Sequence, residues 1–334
     1  MMLCGGCRAA YLSRLAWEEV RYLGSASAAT DMLATAENPE KRHALEVLID
    51  VRRFAQQQGL NVGGSYRKVA DAARASSFEV VTAAYADHLE PYTWWYPIIG
   101  DIPYRGYFDR PSAEEFAATL RAKGLETMIV EASAYSTLGW FDDPLPSSVL
   151  DRGETAVVLT VLHELTHQTF FAPGRVALNE TLATATSWRL AESYFLSKGD
   201  QKHADAMAKA RQTWIERSDL LDKASDRLKE FFDQSRKQKL AREAMLQQRQ
   251  DIYADLLGNM EHSDPVFAEM LRTDGLNNAS FLAAHRYSQD GRAIDAYLAA
   301  QPSIEKALAR LNDAQAKRID LRDVIAGTTA PKAK

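Results

Sequence analysis

The most constraining feature of this 334-residue chain is a short histidine motif inside an apolar helical stretch. Residues 163–167 read His-Glu-Leu-Thr-His, and residues 156–162, directly before them, are almost entirely apolar. Residues 154–171 are therefore predicted to form a helix that is apolar enough to be buried. Burying two imidazoles and a carboxylate is costly unless these groups have partners. A bound metal ion is the simplest partner that satisfies them together.

The spacing of the motif is that of a zinc site. Positions i and i+4 lie on one face of a helix, so His163 and His167 can bind a single Zn²⁺ ion. Glu164 is rotated around the helix axis, away from the ion, which suits a general base acting on a zinc-activated water. The alternative interpretation is two hydrogen-bonded helix histidines beside a surface glutamate.

The third protein ligand is predicted to be Glu180. A catalytic zinc ion usually has three protein ligands and one position open to water. Pro173 and Gly174 predict a turn, after which a second helix, capped by Asn179 and running to about residue 197, would return past the first. Glu180 could instead be an ordinary first-turn carboxylate favoured by the helix dipole. Glu192 is the other candidate ligand, but it lies three turns further along the same helix.

Composition excludes several classes of protein. Apolar residues make up 46% of the chain and charged residues 25%, as in ordinary globular proteins. The net charge of −5 gives no overall basic field for nucleic acid, so no nucleic-acid partner is expected. No stretch approaches the roughly 18 consecutive apolar residues of a membrane span. The chain has two cysteines, Cys4 and Cys7, which excludes a disulfide framework.

Periodicity predicts a predominantly helical α+β fold. The expected fold is a zinc-binding helix pair beside a small mixed sheet, followed by a long C-terminal helical hairpin. Ser112 is the expected cap of the helix that follows it. The predicted helices are 8–35, 40–58, 113–123, 154–171, the helix that ends near 197, 201–233, 237–260, 276–288 and 303–312. The predicted strands are 77–86 and 125–132, with an aromatic hairpin over 91–106.

The N-terminus resembles the end of a bacterial lipoprotein signal, because small residues directly precede Cys7. The charged and apolar segments of such a signal are missing, so we expect the true start of the protein to lie upstream. A lipidated Cys7 would then attach the protein to a membrane of the bacterial cell envelope, facing the periplasm. The alternatives are a redox pair formed by Cys4 and Cys7, or an unstructured tail with two free thiols on a cytoplasmic protein.

These residues resemble two groups of proteins, a broad class of metallopeptidases and a narrower bacterial family. His163-Glu164-x-x-His167 with a downstream Asn179-Glu180-x-x-Ala183 resembles the gluzincin metallopeptidases, whose third zinc ligand is the glutamate. Residues 6–200 more closely resemble the bacterial "putative aminopeptidase" family of predicted zinc-dependent lipoproteins. The matching segments are 6–7, 104–108, 134–141, 143–144, 163–167 and 179–180, with weaker matches at 277–279 and Tyr287.

The resemblance implies a zinc-dependent peptide hydrolase, specifically an aminopeptidase. One Zn²⁺ ion would be held by His163, His167 and Glu180, and Glu164 would act as general base on a peptide substrate. The alternative is a zinc-binding scaffold protein of the envelope with little or no peptidase activity. Apart from this resemblance, no residue pattern distinguishes exopeptidase from endopeptidase action or indicates the side-chain specificity or the oligomeric state.

Four further residues are expected to act on the substrate. In gluzincins an edge strand above the metal helix binds the substrate backbone, and the resemblance assigns this part to residues 134–139, with Tyr135, Ser136 and Gly139 in contact with the peptide. The alternative is a buried structural strand with Tyr135 in the core. Tyr287 is the first candidate for the donor that stabilises the oxyanion, with His285 and Tyr135 as the other candidates.

The expected domain organisation has four parts. Residues 1–10 are the remnant of the lipoprotein signal, and residues 11–200 form the metallopeptidase core. Residues 201–325, which are charged, Ala-rich and poor in Gly, form a helical region that packs on the core. Residues 326–334 form a disordered tail.

Overall fold

The structure, a computed structural model, describes residues 17, 20–70, 79–96, 100–107, 109–131, 142–273 and 275–327. The described helices are α1 (Ala29–Thr35), α2 (Pro39–Gln57), α3 (Arg110–Arg121), α4 (Ser147–Leu150), α5 (Glu154–Thr169), α6 (Val176–Ser197), α7 (Gln201–Lys237), α8 (Arg242–Ser263), α9 (Pro265–Thr273), α10 (Asn278–Arg286), α11 (Gly291–Ala299), α12 (Ile304–Ala316) and α13 (Leu321–Ile325). The described strands are β1 (Ser27–Ala28), β2 (Lys68–Ala70), β3 (Glu79–Tyr85), β4 (Trp94–Tyr96), β5 (Gly100–Ile102), β6 (Tyr104–Tyr107), β7 (Leu125–Glu131) and β8 (Leu145–Pro146).

Helices make up 66% of the structure and the strands form small sheets, which confirms the predicted predominantly helical α+β class. The strand orders are β1-β2-β8, β6-β3-β7 and the hairpin β4-β5. The first of these sheets is mixed, because β2 pairs antiparallel with β1 and parallel with β8. None of the described helices is both long and apolar enough to cross a membrane.

Helix α5 lies at the centre of the largest core. It begins after Gly153, whose φ of 86° suits a residue without a Cβ atom. One face of α5 packs on α2 and α6, which removes its apolar side chains from solvent. The fully buried residues of this face are Val157, Val158, Val161, Leu162 and Leu165. Because the histidine motif occupies the last two turns of the same helix, this packing fixes its position.

The connection between α5 and α6 is a tight turn held by Asn179. Gly174 has a φ of 73°, in the left-handed region that a turn here requires. The prediction that Asn179 caps α6 is wrong, because α6 already begins at Val176. The buried Asn179 side chain instead accepts a hydrogen bond from the Ala172 N–H and donates one to the Ala172 carbonyl, both at 2.9 Å. These two bonds tie the turn to α6 and orient the helix against α5.

The antiparallel sheet β6-β3-β7 carries α3 on one face and α10 on the other. The predicted strands over 77–86 and 125–132 correspond to β3 and β7. Val81 and Ala83 pack with apolar residues of α3. Successive side chains of a strand point to opposite faces, so Thr82 points towards α10. Thr82 is opposite Tyr104 in the register of β3 and β6.

The start of α3 differs from the prediction. Ser112 was expected to cap a helix over 113–123, and this is wrong because α3 begins at Arg110. The cap is Asp109, whose carboxylate accepts a hydrogen bond from the Ser112 N–H at 2.7 Å. Pro111 lies in the first turn, where its missing N–H costs nothing. The cap therefore lies three residues earlier than the serine.

Helices α7 and α8 form the predicted antiparallel hairpin. Arg227 of α7 pairs with Asp255 of α8 at 2.9 Å, and Arg217, earlier in α7, pairs with Asp264 just after α8 at 3.1 Å. The pairing of earlier residues of α7 with later residues of the second helix is that of an antiparallel hairpin. The first half of α7 also packs in the same core as α5, through residues such as Trp214 and Ile215. The hairpin therefore rests on the helices that carry the histidine motif.

The C-terminal helices are more numerous than the sequence predicted. The helix expected over 276–288 is α10, capped by Asn277 in a capping box with Ser280, and the helix expected over 303–312 is α12. Helices α9, α11 and α13 were not predicted. The break between α10 and α11 occurs at Asp290, which has a φ of 58°. Residues of α11 and α12, including Ile294 and Leu308, pack in the core that contains α5.

A buried ion pair connects the hairpin to the sheet and to α10. Arg249 of α8 is only 3% exposed and donates to both carboxylate oxygens of Glu126, at 2.8 and 3.0 Å. Glu126 of β7 also accepts a hydrogen bond from the Asn278 N–H at 2.7 Å. Three elements that are distant in sequence therefore meet at one carboxylate.

We expect Arg249→Met to destabilise the protein by about 3–5 kcal/mol, because it leaves the Glu126 carboxylate without its charged partner. Arg227→Met is the matched control. It removes an ion pair of the same hairpin whose side chains are more than half exposed, and it should cost at most about 1 kcal/mol. Urea unfolding followed by circular dichroism measures both changes. Equal effects of the two substitutions would contradict the role given to the buried pair.

Candidate metal centre

His163 and His167 lie one turn apart at the end of α5 and face each other. Their Nε2 atoms are 3.1 Å apart, and the two rings are nearly perpendicular, at 81°. The His163 side chain is 18% exposed and the His167 side chain is 6% exposed. Two imidazole nitrogens thus point to the same small space at the edge of the core.

Glu180 of α6 enters this space from the adjacent helix. Its Oε2 atom lies 3.3 Å from His163 Nε2 and 3.5 Å from His167 Nε2. The Glu180 side chain is 14% exposed, and the turn held by Asn179 sets its position along α5. The structure therefore brings together the three residues that the sequence singled out as ligands. The other candidate, Glu192, instead pairs with Arg211 at 3.2 Å.

The three atoms fit the dimensions of a zinc site. Ligands about 2.0–2.1 Å from a tetrahedrally coordinated ion are about 3.3–3.4 Å from one another. The observed separations of 3.1, 3.3 and 3.5 Å lie around this value. Two imidazoles and one carboxylate are also a donor set of catalytic zinc sites. The arrangement can hold one divalent cation without rearrangement of either helix.

The electrostatics of the three groups are strongly coupled. Burial alone would raise the pKa of Glu180, but His167 and His163 lower it well below its ordinary value. Burial alone would lower the pKa of His167, but the charge and hydrogen bond of Glu180 raise it. Glu180 is therefore an ionised acceptor at neutral pH, and a proton competes with a cation for His167.

Glu164 lies beside these ligands without joining them. In the part of the chain that the structure describes, its carboxylate has no hydrogen-bond or ion-pair partner. Its charge nevertheless reaches both the His167 ring and the Tyr287 hydroxyl, because it contributes to raising the pKa of each. A partly buried carboxylate without a partner is available to accept a proton.

Tyr287 approaches the centre from the end of α10. Its ring lies 6.4 Å from the His163 ring, and the residue is 45% exposed. The charge of Glu180, followed by partial desolvation, raises the pKa of the Tyr287 hydroxyl above its ordinary value, while Arg286 lowers it. The hydroxyl is therefore protonated at neutral pH and can donate a hydrogen bond.

The other residues predicted to act on the substrate either have a different partner or lie outside the described residues. His285, the second candidate for the oxyanion donor, has its Nε2 atom 2.6 Å from Asp222 on α7, so its ring is already engaged. Tyr135, Ser136 and Gly139 lie outside the described residues, as does Cys7. Their assigned contacts stay predictions.

A second histidine and carboxylate cluster was missed by sequence reasoning. Glu154, Asp200 and His203 have potential ligand atoms within 4.8 Å of one another. His203 already faces Asp200 at 2.7 Å and Glu154 at 3.3 Å through its two ring nitrogens, and His43 lies 3.1 Å from the other Glu154 oxygen. These contacts link α2 and α5 to the start of α7. Sequence reasoning missed the cluster because Glu154 is distant in sequence from Asp200 and His203.

Comparison with known proteins identifies the family. A family model described as "Putative aminopeptidase" matches residues 10–321. The chain therefore belongs to this family, whose description indicates peptidase activity. Neither the curated proteins nor the solved structures contain a match to the chain.

We expect the purified protein to hold one tightly bound zinc ion, and His163→Ala to lose it, because two of three ligands do not retain the ion. Metal analysis after dialysis against a weak chelator measures the zinc content. His262→Ala is the matched control, since His262 is exposed and hydrogen-bonded to Gly258 within its own helix. Full zinc content in the His163→Ala protein would contradict the ligand assignment.

Proposed function

We propose that this protein is a zinc-dependent peptidase of the gluzincin type, in which His163, His167 and Glu180 hold one Zn²⁺ ion. The observation that supports this most directly is the convergence of three ligand atoms from two adjacent helices, 3.1–3.5 Å from one another. The family description supports a peptide substrate and an aminopeptidase as the kind of enzyme.

Glu164 is the proposed general base. A zinc ion held by the three ligands would supply a polarised carbonyl and a water molecule of lowered pKa. Glu164 follows the ligand His163 directly in sequence, and its carboxylate lacks a partner among the described residues. It can take a proton from the attacking water and deliver that proton to the leaving amine.

Tyr287 is the proposed donor to the oxyanion. Its phenol hydroxyl is protonated at neutral pH and can donate a hydrogen bond, and its ring is 6.4 Å from the His163 ring. A donor aimed at the developing negative charge stabilises the transition state more than the ground state. His285 is a weaker candidate because of its ion pair with Asp222.

Two parts of the proposal rest on the sequence. Binding of the peptide backbone is assigned to residues 134–139, with Tyr135, Ser136 and Gly139 in contact with the substrate. Attachment to the bacterial envelope is assigned to a lipidated Cys7. Both come from the resemblance and from the residue pattern at the N-terminus.

We expect Glu164→Gln to keep zinc and to lower peptide turnover by about 10²–10⁴-fold, because the amide cannot accept the proton. Cleavage of a mixed peptide library, with zinc measured in the same preparation, tests this. Glu192→Gln is the matched control, since it changes a carboxylate of α6 that pairs with Arg211.

Two outcomes would contradict the proposal. Peptide cleavage at the wild-type rate by the Glu164→Gln protein would exclude Glu164 as the base. A zinc-loaded wild-type protein that cleaves no peptide of the library would favour a zinc-binding scaffold instead of a peptidase.

A further inference from the structure

Arg286 is one of the two arginines, Arg249 being the other, that are buried in the described part of the chain. Arg249 is 3% exposed and is neutralised by Glu126. Arg286 is 8% exposed, yet no described carboxylate forms an ion pair with it. Since burial of an unpaired charge is costly, Arg286 is a feature that the fold alone does not explain.

The contacts of the Arg286 guanidinium are weak. Its Nη2 atom donates to Thr82 Oγ1 at 3.4 Å, and the group lies 5.3 Å over the ring of Tyr104. These two residues are opposite each other on β3 and β6. The remaining nitrogens, Nε and Nη1, have no protein acceptor but are not among the enclosed polar atoms, so solvent reaches them. The guanidinium is thus held on the side that faces β3 and β6, and its other nitrogens are open to solvent.

A hydrogen bond to the backbone of Arg286 fixes this residue close to the candidate metal centre. The Arg286 carbonyl accepts a hydrogen bond from the Thr181 hydroxyl at 3.3 Å, and Thr181 directly follows Glu180. The ring of the next residue, Tyr287, lies 6.4 Å from the ring of His163. Arg286 is therefore anchored next to a proposed metal ligand, and its side chain extends from this point towards β3 and β6.

We propose that Arg286 binds a carboxylate group of the substrate and thereby selects peptides that carry a negative charge close to the scissile bond. Arginine is suited to this because its planar guanidinium can donate two parallel hydrogen bonds to one carboxylate. This inference rests on the proposed peptidase function. The carboxylate has two chemical sources, the C-terminus of a short peptide or an acidic side chain.

Equilibrium binding separates this inference from the peptidase activity itself. Binding is measured by calorimetry on the Glu164→Gln protein, because this substitution prevents consumption of the peptides. Ala-Ala-Phe with a free C-terminus is compared with its amide, and Ala-Asp-Phe amide is compared with Ala-Asn-Phe amide. Each pair is measured again with Arg286→Gln and Arg286→Lys, and with Arg292→Gln as the matched control. Arg292 is an exposed arginine of α11 that pairs with Asp219.

We expect the member of at least one pair that carries the extra carboxylate to bind at least about tenfold more tightly. The pair that shows this preference identifies the source of the carboxylate. Arg286→Gln should abolish the preference, Arg286→Lys should retain part of it, and Arg292→Gln should leave it intact.

Three outcomes would overturn the inference. They are equal binding within both pairs, a preference that survives Arg286→Gln, and no binding of any of the four peptides. In the active protein, an Arg286→Gln effect on kcat alone, equal for peptides with and without the carboxylate, would instead make Arg286 a positioning residue for Tyr287. Failure of the peptidase proposal is recognised separately. It is seen as absence of peptide cleavage by the zinc-loaded wild-type protein, and it leaves the binding preference unchanged.

Discussion

The convergence of His163, His167 and Glu180 is the interaction on which the rest of the site depends. Three groups that are costly to bury meet within 3.5 Å at the junction of α5 and α6. Their arrangement depends on two features outside the motif, the apolar face of α5 and the Asn179 side chain that ties the turn to α6. A cation at this junction would offset the cost of burial and use all three groups at once.

The C-terminal half completes a site whose motif lies in the middle of the chain. Helix α10 ends at Arg286, with Tyr287 as its C-cap, and it is held against the sheet by Asn278, whose N–H donates to the Glu126 carboxylate. The same carboxylate binds Arg249 of the helical hairpin. Sheet and hairpin therefore support α10, whose end places the Tyr287 ring 6.4 Å from the ring of His163.

The sequence predicted local features better than distant ones. The i, i+4 spacing of the histidines and the turn before Glu180 are local, and both led to groups that meet in space. The expected caps Ser112 and Asn179 were wrong because a nearby aspartate or a tertiary hydrogen bond competes for the same backbone groups. Arg286 was not predicted as a functional residue, because an unpaired charge is recognised only when the surrounding carboxylates are known. The cluster around His203 escaped prediction because Glu154 comes from a helix that is distant in sequence from Asp200 and His203.

X-ray absorption at the zinc edge of the purified 334-residue chain tests the central claim most directly. It reports the identity and distance of the atoms bound to the ion without any assumption about activity. We expect one zinc ion with two imidazole nitrogens and one carboxylate oxygen at about 2.0–2.2 Å, with a further oxygen from solvent. A protein that binds no zinc, or a zinc spectrum without imidazole ligands, would contradict the assignment of His163, His167 and Glu180.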